Sequence, residues 1–133
     1  MKLGKLIIAI LGVGVVANVF DAVVHGMILK GPLYSNVTIM RTDMPTLWLI
    51  IGDFVAAAVF VVFYDRVYQS FGGGLSGGAK YGLWVGVLMN FPTWVFSHLL
   101  ITGFTHELAL AWTLVGILLG VVAGATAGLL YKR

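Results

Sequence analysis

Polar side chains interrupt the apolar stretches of this sequence at helical spacing. Asn18, Asp21 and His25 lie three and four residues apart, and at about 100° per residue they form one stripe along a helix. Asp53 lies in the next apolar stretch. A charge at the centre of a bilayer costs about 2.5–3.5 kcal/mol on insertion scales, so such groups usually face a bundle interior. We therefore expect Asp21 and Asp53 to face each other at nearly the same depth.

A third apolar stretch adds further polar groups to this set. His98 lies about 80° round a helix from Asn90, so only a kink at Pro92 brings it inward. The sequence thus predicts an intramembrane polar cluster of Asn18, Asp21, His25, Asp53, Asn90, Ser97 and His98.

Three interpretations of this cluster remain open. It is a hydrogen-bonded network that fixes helix register, or a proton or cation pathway with Asp21, Asp53 and His25 as exchangeable sites. Alternatively, it binds a metal through its carboxylates and histidines, or a haem between His25 and His98. The sequence assigns no cofactor.

No catalytic constellation accompanies the cluster. The sequence has no cysteine, no G-x-S-x-G and no H-E-x-x-H, and the neighbouring Ser97 and His98 point apart on a helix. The sequence therefore favours a protein without enzymatic activity and predicts no catalytic residue.

The composition explains which elements must position these groups. Of 133 residues, 60% are hydrophobic and 10% charged, whereas soluble domains have about 45–50% and about 25%. Four apolar stretches are each long enough to span a bilayer. We predict an all-α transmembrane four-helix bundle in a single domain, residues 1–133, with helices at about 5–29, 46–64, 79–101 and 108–131, an outer loop at 30–45 and a glycine-rich cytoplasmic loop at 65–78.

Basic residues predict the orientation of this bundle. Six of them lie on one side and two on the other: Lys2, Lys5, Arg66, Lys80, Lys132 and Arg133 against Lys30 and Arg41. The positive-inside rule then places both termini in the cytoplasm. The net charge of +3 is scattered over helix ends, so no basic patch for nucleic acid is formed.

The two halves of the chain resemble each other. Gly14 and Asn18 precede His25 in the first helix, as Gly86 and Asn90 precede His98 in the third. Trp-x-x-x-Gly recurs in the second and fourth helices. These matches predict two parallel two-helix repeats.

Glycines recur every fourth residue in the last two helices. Small residues let membrane helices approach closely, so we predict helix packing through Gly82, Gly86, Gly116, Gly120, Gly124 and Gly128. The partner surface is another helix of this chain or a second copy. The glycine-rich segment near residue 75 has a G-x-G-x-x-G spacing but follows no strand, so a flexible hinge is predicted there.

The segment from Asn18 to Gly26, which contains Asp21 and His25, resembles small bacterial integral membrane proteins of the domain-of-unknown-function type. The tyrosine end of the second helix, the glycine-rich loop and the Tyr-Lys-Arg tail extend this resemblance. It implies four helices in a bacterial inner (plasma) membrane and assigns no activity to the chain.

Our leading hypothesis is a small membrane protein, surrounded by lipid, that acts by assembly as a homo-oligomer or as an accessory subunit of a membrane complex. The alternative is a small transporter or a proton or cation pathway through the Asp/His cluster. A third possibility is haem or metal binding by His25 and His98.

Overall fold

The computed structural model describes residues 3–41, 43 and 45–133, which form a bundle of long helices. These are α1 (Leu3–Val23), α2 (Thr46–Phe71), α3 (Gly74–Leu100) and α4 (His106–Leu130). A π-helical turn over Val24–Ile28 continues α1, and a 3-10 turn over Tyr34–Asn36 lies in the connection to α2. Because the described residues contain no strand, the predicted all-α four-helix fold is confirmed.

Each helix is long and apolar enough to cross a bilayer. With the π-turn included, the spans contain 25 to 27 residues, and a hydrocarbon core needs about 20. Large apolar side chains cover the outside of the bundle, and Met27 and Leu100 are 75% and 80% exposed. The chain is therefore a multi-pass membrane protein. Its antiparallel spans place the start of α1 and the end of α4 at one end of the bundle, here called the termini end. Residues 29–41 and 101–105 lie at the opposite, loop end.

α3 and α4 pack backbone to backbone through glycines. A Cβ atom added at Gly82 would overlap the carbonyl oxygen of Gly120 and lie 2.7 Å from its carbonyl carbon. One added at Gly124 would lie 2.8 Å from the Cα atom of Gly82. All six glycines singled out in the sequence, together with Gly78, lie in this contact or against Asn90 beside it. The surface that faces the α4 glycines is thus α3 of the same chain.

The predicted glycine-rich loop at 65–78 is wrong in its extent. α2 continues to Phe71, and α3 begins at Gly74. The turn between them is Gly72 and Gly73, whose φ values of 81° and 63° lie in the left-handed region that glycine adopts without steric cost. A tight turn therefore stands where a hinge was predicted.

Packing explains why α2 ends later, and α3 begins earlier, than the sequence predicts. Asp65 interrupts the apolar pattern, yet α2 continues through it because the side chain is 3% exposed and accepts a hydrogen bond from the Tyr131 hydroxyl. Gly77 and Gly78 are poor helix formers, but both are buried, and Gly78 packs on the backbone of α4. Close backbone contact in lipid offsets their weak propensity.

A dense core closes the bundle at the termini end. Its largest fully buried side chains include Tyr64, Tyr131 and Val61. Tyr81 joins α3 to α2, since its hydroxyl donates to the Phe60 carbonyl over 2.8 Å and its ring lies 4.7 Å from the Phe60 ring. The bundle is therefore sealed across its helices at this end.

Candidate functional site

A cavity of about 290 Å³ lies in the loop-end half of the bundle, between α1 and the α3–α4 pair. The lining combines a carboxylate, an imidazole and an amide with two indole rings and small apolar groups. Its residues are Asp21, His25, Asn90, Trp94, Trp112, Val115, Gly116 and Leu119. We call this the loop-end cavity. Three residues of the predicted polar cluster, one on α1, one on its π-turn and one on α3, thus share one space.

The π-turn carries His25 past the end of α1. The Leu29 amide donates to the Val24 carbonyl over 2.8 Å, five residues back, and such widened turns often occur at functional sites. The His25 Nε2 atom lies 3.8 Å from Asp21 Oδ1, with each side chain 33% exposed. This separation is too long for a hydrogen bond. Asp21 Oδ1 is buried and has no hydrogen-bond partner among the described residues.

Tyr34, from the 3-10 turn, connects the two sides of the cavity. Its oxygen accepts a hydrogen bond from Trp112 Nε1 over 2.7 Å, and its hydroxyl bonds His25 Nδ1. Burial raises the pKa of the Tyr34 phenol above its ordinary value of 10, so the hydroxyl keeps its proton at neutral pH. The neutral phenol has one proton to donate, and we assign it to His25 Nδ1, which leaves the imidazole proton on Nε2 beside Asp21.

Two indole rings form the wall opposite α1. The centroids of Trp94 and Trp112 lie 4.7 Å apart with an interplanar angle of 72°. The His25 ring is 6.2 Å from Trp112, at 82°. Trp94 Nε1 donates to Asn90 Oδ1 over 3.1 Å, which holds the indole in position. The cavity is therefore bounded by rings at steep angles to one another.

The two cluster asparagines make the same local bond. Asn18 Nδ2 donates to the Gly14 carbonyl over 2.9 Å, and Asn90 Nδ2 donates to the Gly86 carbonyl over 2.9 Å. Asn90 additionally lines the loop-end cavity, whereas Asn18 does not. The matched Gly-x-x-x-Asn segments thus share a geometry, and only the copy in α3 contributes to the cavity wall.

Asp53 lies on α2, near the cavity but outside its lining. It is close enough to Asp21 and His25 for their charges to interact. A second acidic side chain therefore lies near Asp21, on the neighbouring helix. The described residues contain no group of three His, Asp or Glu side chains able to hold a metal ion.

Ser97 and His98 do not join this cavity, which corrects the prediction for both. Ser97 shares a helix face with Asn90 but lies seven residues, or about 10 Å, further along the axis, and its hydroxyl donates to the Thr93 carbonyl over 2.7 Å. His98 is exposed at the loop end, where Nδ1 donates to the Phe104 carbonyl over 2.7 Å. His25 and His98 each use Nδ1 in a separate protein contact.

A second polar site, at the termini end, is absent from the sequence prediction. Asp65 accepts from the Tyr131 hydroxyl, and Arg133 Nε lies 3.8 Å from the same carboxylate. Lys5 Nζ donates to the Lys132 carbonyl over 3.0 Å. These bonds hold the last residues against α1 and α2. The signal available in the sequence was Asp65, an acidic residue directly after Tyr64 at the predicted end of the second helix.

The aromatic wall was also missed, although the spacing contained a signal for it. Asn90 and Trp94 are four residues apart, as are Trp112 and Gly116, so each pair shares a helix face. Tyr34 had no such signal, because its contacts bridge distant parts of the chain.

Comparison with protein-family models, curated proteins and solved structures found no match to the chain. The resemblance to small bacterial membrane proteins therefore stays a prediction, and the site must be interpreted from its own chemistry.

Proposed function

We propose that this protein binds a cation in the loop-end cavity and moves it across the membrane, with Asp21 as the primary site. The observation that carries the proposal is a cavity at membrane depth, lined by a carboxylate, with a second carboxylate, Asp53, nearby. Both groups are costly in lipid. Two acidic groups close together attract a positively charged ligand.

The unpaired oxygen of Asp21 argues against a purely structural network. Buried polar atoms that only fix helix register have hydrogen-bond partners in almost all proteins. Asp21 Oδ1 has none among the described residues, and the His25 Nε2 atom is 3.8 Å away. A cation in the cavity would supply the counter-charge that this carboxylate lacks.

The packing supports this function over assembly as the first hypothesis. The glycine ladder of α4 was an argument for a second copy or a partner subunit, but that surface is covered by α3 of the same chain. A homo-oligomer or membrane complex thus loses one of the observations that supported it.

We propose that the termini end faces the cytoplasm of a bacterial cell whose inner membrane the four helices cross. Six of the eight Lys and Arg residues are at that end by sequence, and cytoplasmic loops carry the excess of positive charge. The cavity then loads from the outer side, and the termini-end core is the barrier that must open for release.

A rigid unit of α3 with α4 suits such an opening. Glycine contacts fix these two helices to each other, while α2 meets α3 chiefly around Tyr81. We propose that α1 and α2 rock against the α3–α4 pair, so that the contacts of Tyr81 break as the termini end opens. Packed helix pairs commonly move as units in this way.

Charge movement on proteoliposomes tests the proposal. Purified protein is adsorbed on a solid-supported membrane, and currents are recorded after jumps of protons, K⁺ or tetramethylammonium. We expect a current for at least one cation, and a fall of about tenfold or more when Asp21→Asn and Asp53→Asn are combined. Asp43→Asn is the matched control, because it removes an exposed loop carboxylate.

Two outcomes contradict the proposal. One is the absence of current for all three cations in the wild-type protein. The other is a current of equal size in the wild-type protein and in the double variant, when circular dichroism shows that both are folded.

A further inference from the structure

We propose that the cation is an organic ammonium ion, recognised by the indole faces of Trp94 and Trp112 together with the carboxylate of Asp21. This inference rests on the proposed cation site and names its substrate class. Ammonium groups are attracted to aromatic faces, Trp above all, and quaternary ammonium ligands are typically held in aromatic cages.

The ring geometry suits a roughly spherical cationic group. Trp94 and Trp112 stand at 72° to each other, and His25 stands at 82° to Trp112. Rings that meet at steep angles enclose a corner on more than one side. All three belong to the cavity lining.

Three side-chain nitrogens of the lining already donate hydrogen bonds, and a fourth, His25 Nε2, lies beside the Asp21 carboxylate, which disfavours an anion. Trp94 Nε1 donates to Asn90, Trp112 Nε1 to Tyr34, and Asn90 Nδ2 to Gly86. What remains in the lining is the Asp21 carboxylate and those parts of the two indole rings that border the cavity. Such a lining attracts positive charge and has few groups to bind a phosphate or a carboxylate.

The same lining is poor for an inorganic metal ion. Ca²⁺ takes six to eight oxygen ligands, and transition metals prefer several His, Cys or carboxylate groups. The described residues form no group of three such side chains. An ammonium ion needs only one counter-charge when aromatic faces supply the other contacts.

Size points to a small ligand. The cavity holds about 290 Å³, which is just below the range of roughly 300–1,000 Å³ for small-molecule sites. A trimethylammonium or tetramethylammonium group is small enough for a cavity of this volume, whereas a large drug-like cation is not.

Binding of tetramethylammonium to purified protein in nanodiscs tests the inference. Isothermal titration calorimetry with tetramethylammonium chloride is compared with titrations of NaCl and KCl at equal ionic strength. We expect saturable binding of tetramethylammonium that Na⁺ and K⁺ do not reproduce. Asp21→Asn should weaken it by about tenfold or more, and Trp94→Leu by about three- to thirtyfold.

Two further variants separate recognition from folding. Trp94→Phe keeps an aromatic face and should fall between wild type and Trp94→Leu. Trp84→Leu removes a tryptophan of the same helix that is 69% exposed on the outside, and it should leave binding unchanged. Wild-type affinity in Trp94→Leu, or equal losses in Trp84→Leu and Trp94→Leu, would overturn the aromatic role.

The outcomes also separate this inference from the function on which it rests. Asp21-dependent currents carried by protons or K⁺, with no tetramethylammonium binding, would overturn the ammonium assignment and leave the cation pathway standing. Tetramethylammonium binding without current for any cation would overturn transport and leave the site. The absence of both binding and current would overturn the ammonium assignment and the cation pathway together.

Discussion

Replacing Gly82 by alanine tests the contact that holds α3 to α4. The added Cβ atom would overlap the Gly120 carbonyl oxygen and lie 2.7 Å from the carbonyl carbon. Carbon atoms in contact prefer about 3.5–4.0 Å, so the helices must separate by roughly 1 Å. A gap of about 0.5–1 Å already forfeits a quarter to a half of the dispersion energy of the contacts beside it.

The free energy of unfolding should therefore fall. Overpacking a well-packed interface costs about 1–3 kcal/mol, and alanine returns part of this because it favours the helix over glycine by about 0.5–1 kcal/mol. Gly52→Ala is the matched control, since a Cβ atom there meets nothing within 4 Å. That variant gains the helix preference alone and should be as stable as the wild type or slightly more so.

The assay is reversible unfolding in mixed micelles, followed by far-ultraviolet circular dichroism as the denaturing detergent increases. Gly82→Ala should unfold at a lower fraction of denaturing detergent than Gly52→Ala. Equal midpoints for the two variants would refute the backbone contact between α3 and α4.

Two further predictions concern the termini end and the loop. Tyr131→Phe should lower the free energy of unfolding by about 1–3 kcal/mol, because it removes a hydrogen-bond donor from the buried Asp65. Tyr64→Phe should not lower it, since the buried Tyr64 hydroxyl has no partner among the described residues. Similar losses for the two variants in micelle unfolding would contradict this prediction. In the loop, the guanidinium of Arg41 holds the pKa of the Asp43 carboxyl below its ordinary value. The small contribution of this pair to folding stability is therefore present when the pH is above the ordinary pKa, and it disappears as the pH falls through the lowered pKa. Arg41→Gln should raise the pKa of Asp43 in an NMR titration, and an unchanged value would refute the contact.

Hydropathy predicted the four helices because spanning a bilayer imposes length and apolarity on the sequence itself. It failed at the boundaries where packing decides. Asp65 ends an apolar run, yet its burial under Tyr131 keeps α2 helical. Gly78 belongs to a segment typical of loops, yet it is helical because the α4 backbone lies against it.

The candidate site divides in the same way. Asp21 and His25 were predictable as one stripe, because the helical repeat fixes their relation within α1. The wall of Trp94 and Trp112 was not, since these rings meet only when α3 and α4 pack. Ser97 was assigned to the cluster as a polar residue of the third helix, but it lies about 10 Å along the axis from Asn90.

Labelling of Asp21 by dicyclohexylcarbodiimide tests the central claim most directly. This apolar reagent reacts with carboxyl groups in membranes, and mass spectrometry of the wild-type protein locates the product. We expect modification of Asp21 that slows by about tenfold when tetramethylammonium saturates the cavity, with buried Asp65 unmodified. An unreactive Asp21, or a rate that no cation changes, would contradict a cation site in this cavity.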